Sequence, residues 1–176
     1  MKTISIFRYL LLSAVIAVVF SCKGDDGQDG NANVLTVKLQ SSAITWTAGT
    51  YLARAANVFT LTEEHVDEDI IDHGTVLGYC YVAPQWIPLP FFWIGASAYL
   101  SVTHTYELNK IHLYAYSQAG DIDPNAIITE YRFMLITDKT VMKGASASQE
   151  ILYNLRLAGV DVNNYYEVAE YFGVKE

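Results

Sequence analysis

The chain has 176 residues, of which 52% are hydrophobic and 17% are charged, a composition typical of a globular protein and not of a disordered one. Its formal net charge at pH 7 is −8. Without residues 1–21, which hold two basic residues and no acid, 9 basic residues would face 19 acidic ones, a formal charge of −10. This excess of acids argues against a nucleic-acid partner, because a basic surface is needed to bind phosphates.

Residues 1–21 have the features of a secretory signal peptide. Lys2 and Arg8 supply a positive region, and the uncharged segment Tyr9–Phe20 follows it. A membrane-spanning helix needs about 20 apolar residues, and this segment has only 12. We therefore predict that residues 1–21 are removed and do not remain as a transmembrane anchor.

The residues Val19-Phe20-Ser21-Cys22 resemble a bacterial lipobox, in which a small residue precedes the cysteine that becomes lipidated. The resemblance implies that Cys22 carries acyl chains such as palmitate and anchors the protein in the outer membrane. Two or three chains anchor stably where a single chain is marginal. The alternative is ordinary signal cleavage with no role for Cys22. With Cys22 at the cleavage point, Cys80 is left alone, and we expect no intramolecular disulfide framework.

The segment that follows Cys22 reads CKGDDG and is similar to the surface-export signal of lipoproteins from the Bacteroidota. Lys23 matches the residue just after the cysteine, and Asp25 and Asp26 match the acidic pair. The resemblance favours display on the cell surface over a periplasm-facing position.

Glycine recurs at every third position in this acidic segment, at Gly24, Gly27 and Gly30. A collagen triple helix also has this period, but three repeats without proline cannot hold one. We therefore predict that residues 22–33 are the lipidated cysteine and a flexible tether.

From residue 34 onward the hydrophobic pattern has mostly a period of two, which is typical of half-buried strands. Gly-, Asn-, Asp- and Pro-containing segments such as AGT, APQWIPLP and QAGDIDPN separate these runs and predict loops. We expect residues 34–176 to form an all-β fold, an antiparallel β-sandwich of about seven strands with a C-terminal helix. The predicted strands are VLTVKLQ, AITWT, NVFTLT, TVLGYCYV, ASAYLSVTHTY, KIHLYAYS and ITEYRFMLIT.

Two segments have the pattern of helices. LTEEHVDEDIIDHG predicts a short helix with Thr62 as its N-cap and Gly74 as its stop. NNYYEVAEYFG predicts a C-terminal helix capped by Asn163, with Gly173 just past its end. We expect this second helix to cover one open side of the sandwich.

The tether, the GNANV junction after it, and the order of HGTVLGYCYV, WIPLP, YRFMLI and YYEVAEYFG resemble a set of uncharacterised Bacteroidota surface lipoproteins. These lipoproteins have a short collagen-like Gly-x-x tether ahead of the GNANV junction. The resemblance covers most of residues 22–176 and implies a location and a fold. It implies no activity.

Several residue groups could in principle carry chemistry. Asp121, Asp123 and Asn125 have the spacing that opens a calcium loop, but Ala126 and Arg132 stand where that loop needs glycine and glutamate. Asp-Pro-Asn also suits a turn.

A run of acids predicts a solvated helix face: Glu63, Glu64, Asp67, Glu68, Asp69 and Asp72.

Histidine and cysteine give no stronger signal. If VTHTYELNKIHLY is a hairpin that pairs Glu107 with Lys110, Thr105 lies opposite His112, and His104 and His112 point to opposite faces. This geometry argues against a shared metal. Cys80, alone in an alternating strand, fits a small buried hydrophobic residue better than a nucleophile. We expect no metal, cofactor or catalytic site.

The aromatic segment QWIPLPFFWIG is the most suggestive feature of the chain. We expect its two prolines to stop regular strand pairing and to leave a rigid loop that carries Trp86, Phe91, Phe92 and Trp93. Such a loop could stack on sugar rings or contact a protein partner. The alternative, which we favour, is that Trp86 and its neighbours plug the end of the sandwich core.

Together these features predict a lipid-anchored, non-catalytic binding or adhesion module for glycan or protein at the cell surface. The alternative is a structural or accessory subunit of an envelope complex. A hydrolase would need two carboxylates about 5–9 Å apart across a cleft, and the sequence brings no such pair together.

Overall fold

A computed structural model describes residues 32–96, 98–118, 122–144 and 146–174. The predicted signal peptide, the lipidation site Cys22 and the export residues Lys23, Asp25 and Asp26 lie outside the described residues. The described residues form nine strands: β1 Ala32–Gln40, β2 Thr47–Tyr51, β3 Arg54–Thr62, β4 Gly74–Val82, β5 Gln85–Pro88, β6 Phe91–Ile94, β7 Tyr99–Glu107, β8 Lys110–Gln118 and β9 Glu130–Asp138. Three α-helices accompany them: α1 Glu68–His73, α2 Ala147–Leu157 and α3 Tyr165–Tyr171.

The strands form two antiparallel sheets. One has four strands in the order β1-β9-β4-β5, and the other has five in the order β2-β3-β8-β7-β6. Every paired strand in the described part of the chain runs antiparallel to its neighbour. The prediction of an antiparallel β-sandwich is confirmed.

The four-stranded sheet is buried on both faces. On β9, Tyr131, Phe133 and Leu135 pack between the two sheets, whereas Met134 and Ile136 pack on the other face. Helices α2 and α3 cover that second face with buried apolar side chains: Ala147, Ile151, Leu155, Tyr165, Val168 and Ala169. This double burial explains why β9 reads as a nearly continuous apolar run. It also confirms that the C-terminal helix covers one side of the sandwich.

The predicted helix starts are wrong by one residue in α3 and by several in α1. Thr62 ends β3, where it pairs with Lys110 in the ladder, so it is not available as a cap. The carboxylate of Asp67 caps α1 instead and accepts a hydrogen bond from the Ile70 N–H at 3.0 Å. Asn164, not Asn163, caps α3. In both helices the side chain that reaches the free N–H groups sets the start.

Several elements differ from the sequence prediction. The segment AITWT is not a strand, and β2 instead includes the predicted AGT loop, because Gly49 pairs with Ala56. Helix α2 was not predicted at all, although its buried residues Ala147, Ile151 and Leu155 recur every fourth position. The predicted hairpin is confirmed: Glu107 pairs with Lys110, and Thr105 with His112.

The chain enters the sandwich at a defined end. Asn33 and Gly74 both pair with Thr137 of β9, from its two sides. The starts of β1 and β4 therefore lie at the same end of the sheet. Helix α1 leads into Gly74, and the loop before it is hydrogen-bonded to Asn109 in the β7–β8 turn. We call this the entry end. The opposite, distal end of the five-stranded sheet holds the β2–β3 turn and the start of β7, roughly 26 Å away along β3.

Candidate functional site

The four predicted contact residues do not share one surface. The segment QWIPLPFFWIG is not an irregular loop, because it forms β5 in one sheet and β6 in the other. Trp86 lies on the outer face of the four-stranded sheet, and Phe91 is buried in the core. Trp93 is half-buried against that core, and Phe92 points out of the five-stranded sheet and is 56% exposed. The alternation of side chains along β6 separates Phe92 from its neighbours.

Trp86 packs against two tyrosines and an arginine of the protein itself. Its ring lies 5.1 Å from the rings of Tyr81 and Tyr165, and the Arg132 guanidinium lies 4.3 Å from its centroid. Arg132 also donates hydrogen bonds to Glu130 at 2.8 Å and to the Tyr165 hydroxyl at 2.7 Å. Although burial opposes the charge, these hydrogen bonds raise the pKa of Arg132 above its ordinary value. Trp86 therefore has a structural role, but it joins the outer face of the four-stranded sheet to α3 and does not plug the end of the core between the sheets.

A different aromatic surface lies on the outer face of the five-stranded sheet. Period-two alternation turns Tyr114 and Tyr116 of β8 outward, while Leu113 and Ala115 point into the core. Helices α2 and α3 pack against the other sheet and do not cover this face. The register places tyrosines from β2 and β7 beside those of β8. We call this surface the tyrosine face and define it by Tyr51, Tyr99, Tyr114 and Tyr116.

The tyrosine face contains a shallow depression of about 320 Å³. The rings of Tyr51 and Tyr114 are stacked with centroids 4.4 Å apart, and those of Tyr99 and Tyr116 meet edge to face at 6.0 Å. Phe92 extends the row, with its ring 6.3 Å from that of Tyr99. Small residues line the depression between the rings: Ala55, Ala56, Ser101 and Thr103. The result is an open groove with aromatic walls and a small, partly polar floor.

The tyrosine hydroxyls carry most of the polar character of this groove. The Tyr114 hydroxyl accepts a hydrogen bond from the Thr105 hydroxyl at 3.5 Å. Within the described ranges, the hydroxyls of Tyr51, Tyr99 and Tyr116 have no hydrogen-bond partner from the protein. These half-buried rings therefore combine an apolar surface with donors and acceptors that face solvent.

The β2–β3 turn holds one wall of the groove in place. Its two central residues, Leu52 and Ala53, have φ of 48° and 62°. A two-residue hairpin turn with positive φ at both positions favours glycine or asparagine, and other residues there cost about 1–2 kcal/mol each. The turn pairs Tyr51 directly with Arg54, so both side chains project to the tyrosine face. Leu52 is 79% exposed and lines the rim.

Near the entry end, the same face of the five-stranded sheet carries charged side chains that contact one another. Glu107 accepts a hydrogen bond from Lys110 at 2.9 Å and lies 3.3 Å from His112 Nε2. The hydrogen bonds from Lys110 and then from His112 lower the pKa of Glu107. Thr60 lies 2.9 Å from His112 Nδ1. Since these groups satisfy one another, the groove near the distal end is the part of the face that is free to bind a ligand.

The predicted calcium spacing has a structural explanation. Asp121 lies outside the described residues. The Asp123 carboxylate accepts a hydrogen bond from the Asn125 N–H at 2.9 Å, as in a capped turn. The Asn125 side chain accepts from Trp46 Nε1 at 3.1 Å and donates to the Ile44 carbonyl at 3.3 Å. These contacts hold the turn against the end of the core.

The acidic run and the remaining candidates also have structural roles. Asp69 pairs with Lys139 at 2.8 Å, which lowers the pKa of Asp69, and Asp72 pairs with Lys143 at 2.7 Å. Burial raises the pKa of Cys80 to about 12, so its thiol is protonated and is no nucleophile at neutral pH. No group of three or more potential metal ligands occurs within the described residues.

A scan against protein-family models, a search of curated proteins and a search of solved structures found no match to this chain. Within the described residues, no helix is both long and apolar enough to cross a membrane. The tyrosine face therefore has to be interpreted from its own chemistry. The period-two pattern of HLYAYS could have indicated its central strand, but Tyr51 joins it only through the pairing of β2, β3 and β8.

Proposed function

We propose that the protein is a non-catalytic glycan-binding module, lipid-anchored at the cell surface through Cys22. The tyrosine face is its binding surface. The observation that carries the proposal is the row of aromatic rings, Tyr51 and Tyr114 stacked at 4.4 Å and Tyr99 beside Tyr116 at 6.0 Å, along an open groove.

A glycan suits this groove for two physical reasons. A sugar ring has an apolar face of C–H groups, which packs on an aromatic ring, and a rim of hydroxyl groups. Tyrosine offers both complements, because its ring is apolar and its hydroxyl donates and accepts hydrogen bonds. The small floor residues Ala56, Ser101 and Thr103 leave room for a chain of sugars to lie between the rings.

The location of the groove agrees with an anchor on the N-terminal side. The chain enters the sandwich at the entry end, and Tyr51, Tyr99 and Tyr116 lie toward the distal end. A lipid on Cys22 and a tether that ends where β1 begins at Ala32 would leave the groove open to large ligands outside the cell.

The alternative function, an accessory subunit of an envelope complex, has one observation in its favour. Phe92 and Ile94 on the short edge strand β6 are 56% and 80% exposed, and exposed apolar side chains at a sheet edge suit protein contact. Substitution of Ile94, the cross-strand partner of Tyr99, would then disrupt a protein complex.

The proposal can be tested on a glycan array, followed by calorimetric titration of the oligosaccharides that bind. We expect Tyr99→Ala and Tyr116→Ala each to weaken binding about tenfold, a loss of about 1.4 kcal/mol, because each removes one stacking surface. Tyr153→Ala is the matched control, since Tyr153 is 56% exposed on α2, which packs against the other sheet.

Two results would contradict the proposal. One is the absence of any glycan that binds the full chain on the array. The other is an equal loss of affinity in Tyr153→Ala, which would show that the effect is not specific to the tyrosine face.

A further inference from the structure

Arg54 is the one charged residue among the described residues that line the groove. It is exposed, and no acidic partner within the described ranges forms an ion pair with it. By contrast, Lys110, Lys139 and Lys143 each pair with a carboxylate. Lys38 and Arg156 likewise form no ion pair within the described ranges, so Arg54 is distinguished by its place in the groove.

The β2–β3 hairpin sets the position of this arginine. Arg54 is the direct cross-strand partner of Tyr51, so their Cβ atoms lie about 4.5–5.5 Å apart on the same face. Tyr51 in turn stacks on Tyr114. A guanidinium group therefore projects from the face directly beside a stacked aromatic pair.

We propose that the ligand is a glycan that carries a carboxylate, of the uronic-acid or sialic-acid type, and that Arg54 binds this carboxylate. This inference rests on the proposed function. The sugar ring packs on the tyrosine rings while the planar guanidinium donates two parallel hydrogen bonds to the carboxylate oxygens. Arg54 thus determines specificity, and the tyrosines supply most of the contact area.

The charge of the whole protein narrows the ligand class further. The formal charge of −10 that remains without residues 1–21 repels polyanions, whereas screening limits charge effects at physiological salt to about 8 Å. One carboxylate on an otherwise neutral glycan meets Arg54 within that range and avoids most of the repulsion. Heavily sulfated or polyuronic chains carry many negative charges and would not avoid this repulsion.

The experiment compares matched oligosaccharides on an array and in calorimetric titrations of the full chain. The probes are sialyllactose with lactose, cellobiouronic acid with cellobiose, and a set of sulfated oligosaccharides. We expect at least one carboxylated probe to bind about tenfold more tightly than its neutral counterpart. Arg54→Gln should abolish this difference, Arg54→Lys should retain part of it, and the control Arg156→Gln, an exposed arginine on α2, should leave it unchanged.

The other outcomes separate the inference from the proposed function. If the members of each pair bind equally and Tyr116→Ala weakens both, the carboxylate inference is wrong and the glycan-binding function stands. A preference for sulfated probes, or loss of neutral binding in Arg54→Gln, would also overturn the inference. If no oligosaccharide binds, both the carboxylate inference and the proposed glycan-binding function are wrong.

Discussion

His104 shows how one residue's role depends on the face of its strand. It lies on the inner side of β7, where Nε2 donates a hydrogen bond to the Val76 carbonyl at 3.0 Å. Its Nδ1 is buried and has no partner among the described residues, and a Cβ at Gly78 would lie 2.8 Å from the ring. His112, eight residues later, faces outward to Glu107. The alternation seen in the sequence separated these two residues correctly, but their partners depend on the opposite sheet.

Burial lowers the pKa of His104, so the folded protein holds the ring neutral where the unfolded chain binds a proton. The contribution of His104 to the free energy of unfolding is fully present above a pH of about 6.5. It is lost as the pH falls from there toward the lowered pKa of the folded state. We expect the free energy of unfolding to fall by roughly 1 kcal/mol per pH unit in this window. His104→Gln should reduce that slope in urea denaturation at pH 7.5 and 5.5.

His65→Gln is the control, because His65 is exposed beside Glu63. A smaller pH slope confined to His104→Gln would assign the pH dependence to the buried ring. An unchanged slope in His104→Gln would mean that another group is responsible for the loss of stability in acid.

At the scale of elements, the junction between α1 and β4 depends on close backbone contact. Gly74 ends the helix and begins the strand, with an extended φ of −129° that any residue can adopt. Glycine is required here for space: a Cβ would lie 2.7 Å from the backbone oxygens of Ile70 and Ile136. The sequence correctly indicated Gly74 as the stop of the helix, but it did not show that β9 approaches so closely.

We expect Gly74→Ala to lower the free energy of unfolding by about 2–3 kcal/mol, because the Ile70 oxygen is fixed in helix α1 and the Ile136 oxygen in strand β9. Gly159→Ala is the comparison, since a Cβ there meets open space and only its φ of +78° is strained. That variant should cost about 1 kcal/mol. Equal costs in chemical denaturation would show that the junction can relax around a methyl group.

At the scale of the whole molecule, the proposed anchor and the tyrosine face make a joint prediction about location. Protease treatment of intact cells should remove the protein while a periplasmic marker remains intact, because the proposal places the domain outside the cell. Cys22→Ser should release the protein from the membrane fraction, since no acyl chain can then be attached through sulfur. Cells that express the unmodified chain should bind the array-positive glycan, and cells that express Tyr116→Ala should bind it less.

Protection from protease until the outer membrane is broken would contradict surface display. The acidic segment with Lys23, Asp25 and Asp26 would then act only as a spacer, and crosslinking to an envelope partner through Phe92 and Ile94 would become the next experiment.

The sequence by itself determined the features that depend on near neighbours. Alternation identified six of the longer strands, the spacing in VTHTYELNKIHLY predicted the hairpin register, and the C-terminal helix followed from its apolar stripe. It did not identify β5 and β6, because four-residue strands around prolines have too few alternating positions to show a period.

Only the tertiary structure decided which side chains share a surface. Trp86, Phe91 and Phe92 are close in sequence, yet they lie on the outside of one sheet, in the core and on the outside of the other. Tyr51 and Tyr114 are 63 residues apart in number, yet they stack at 4.4 Å. The physical reason is that strand order, and the register between strands distant in the sequence, arise from long-range backbone pairing, which local patterns do not encode.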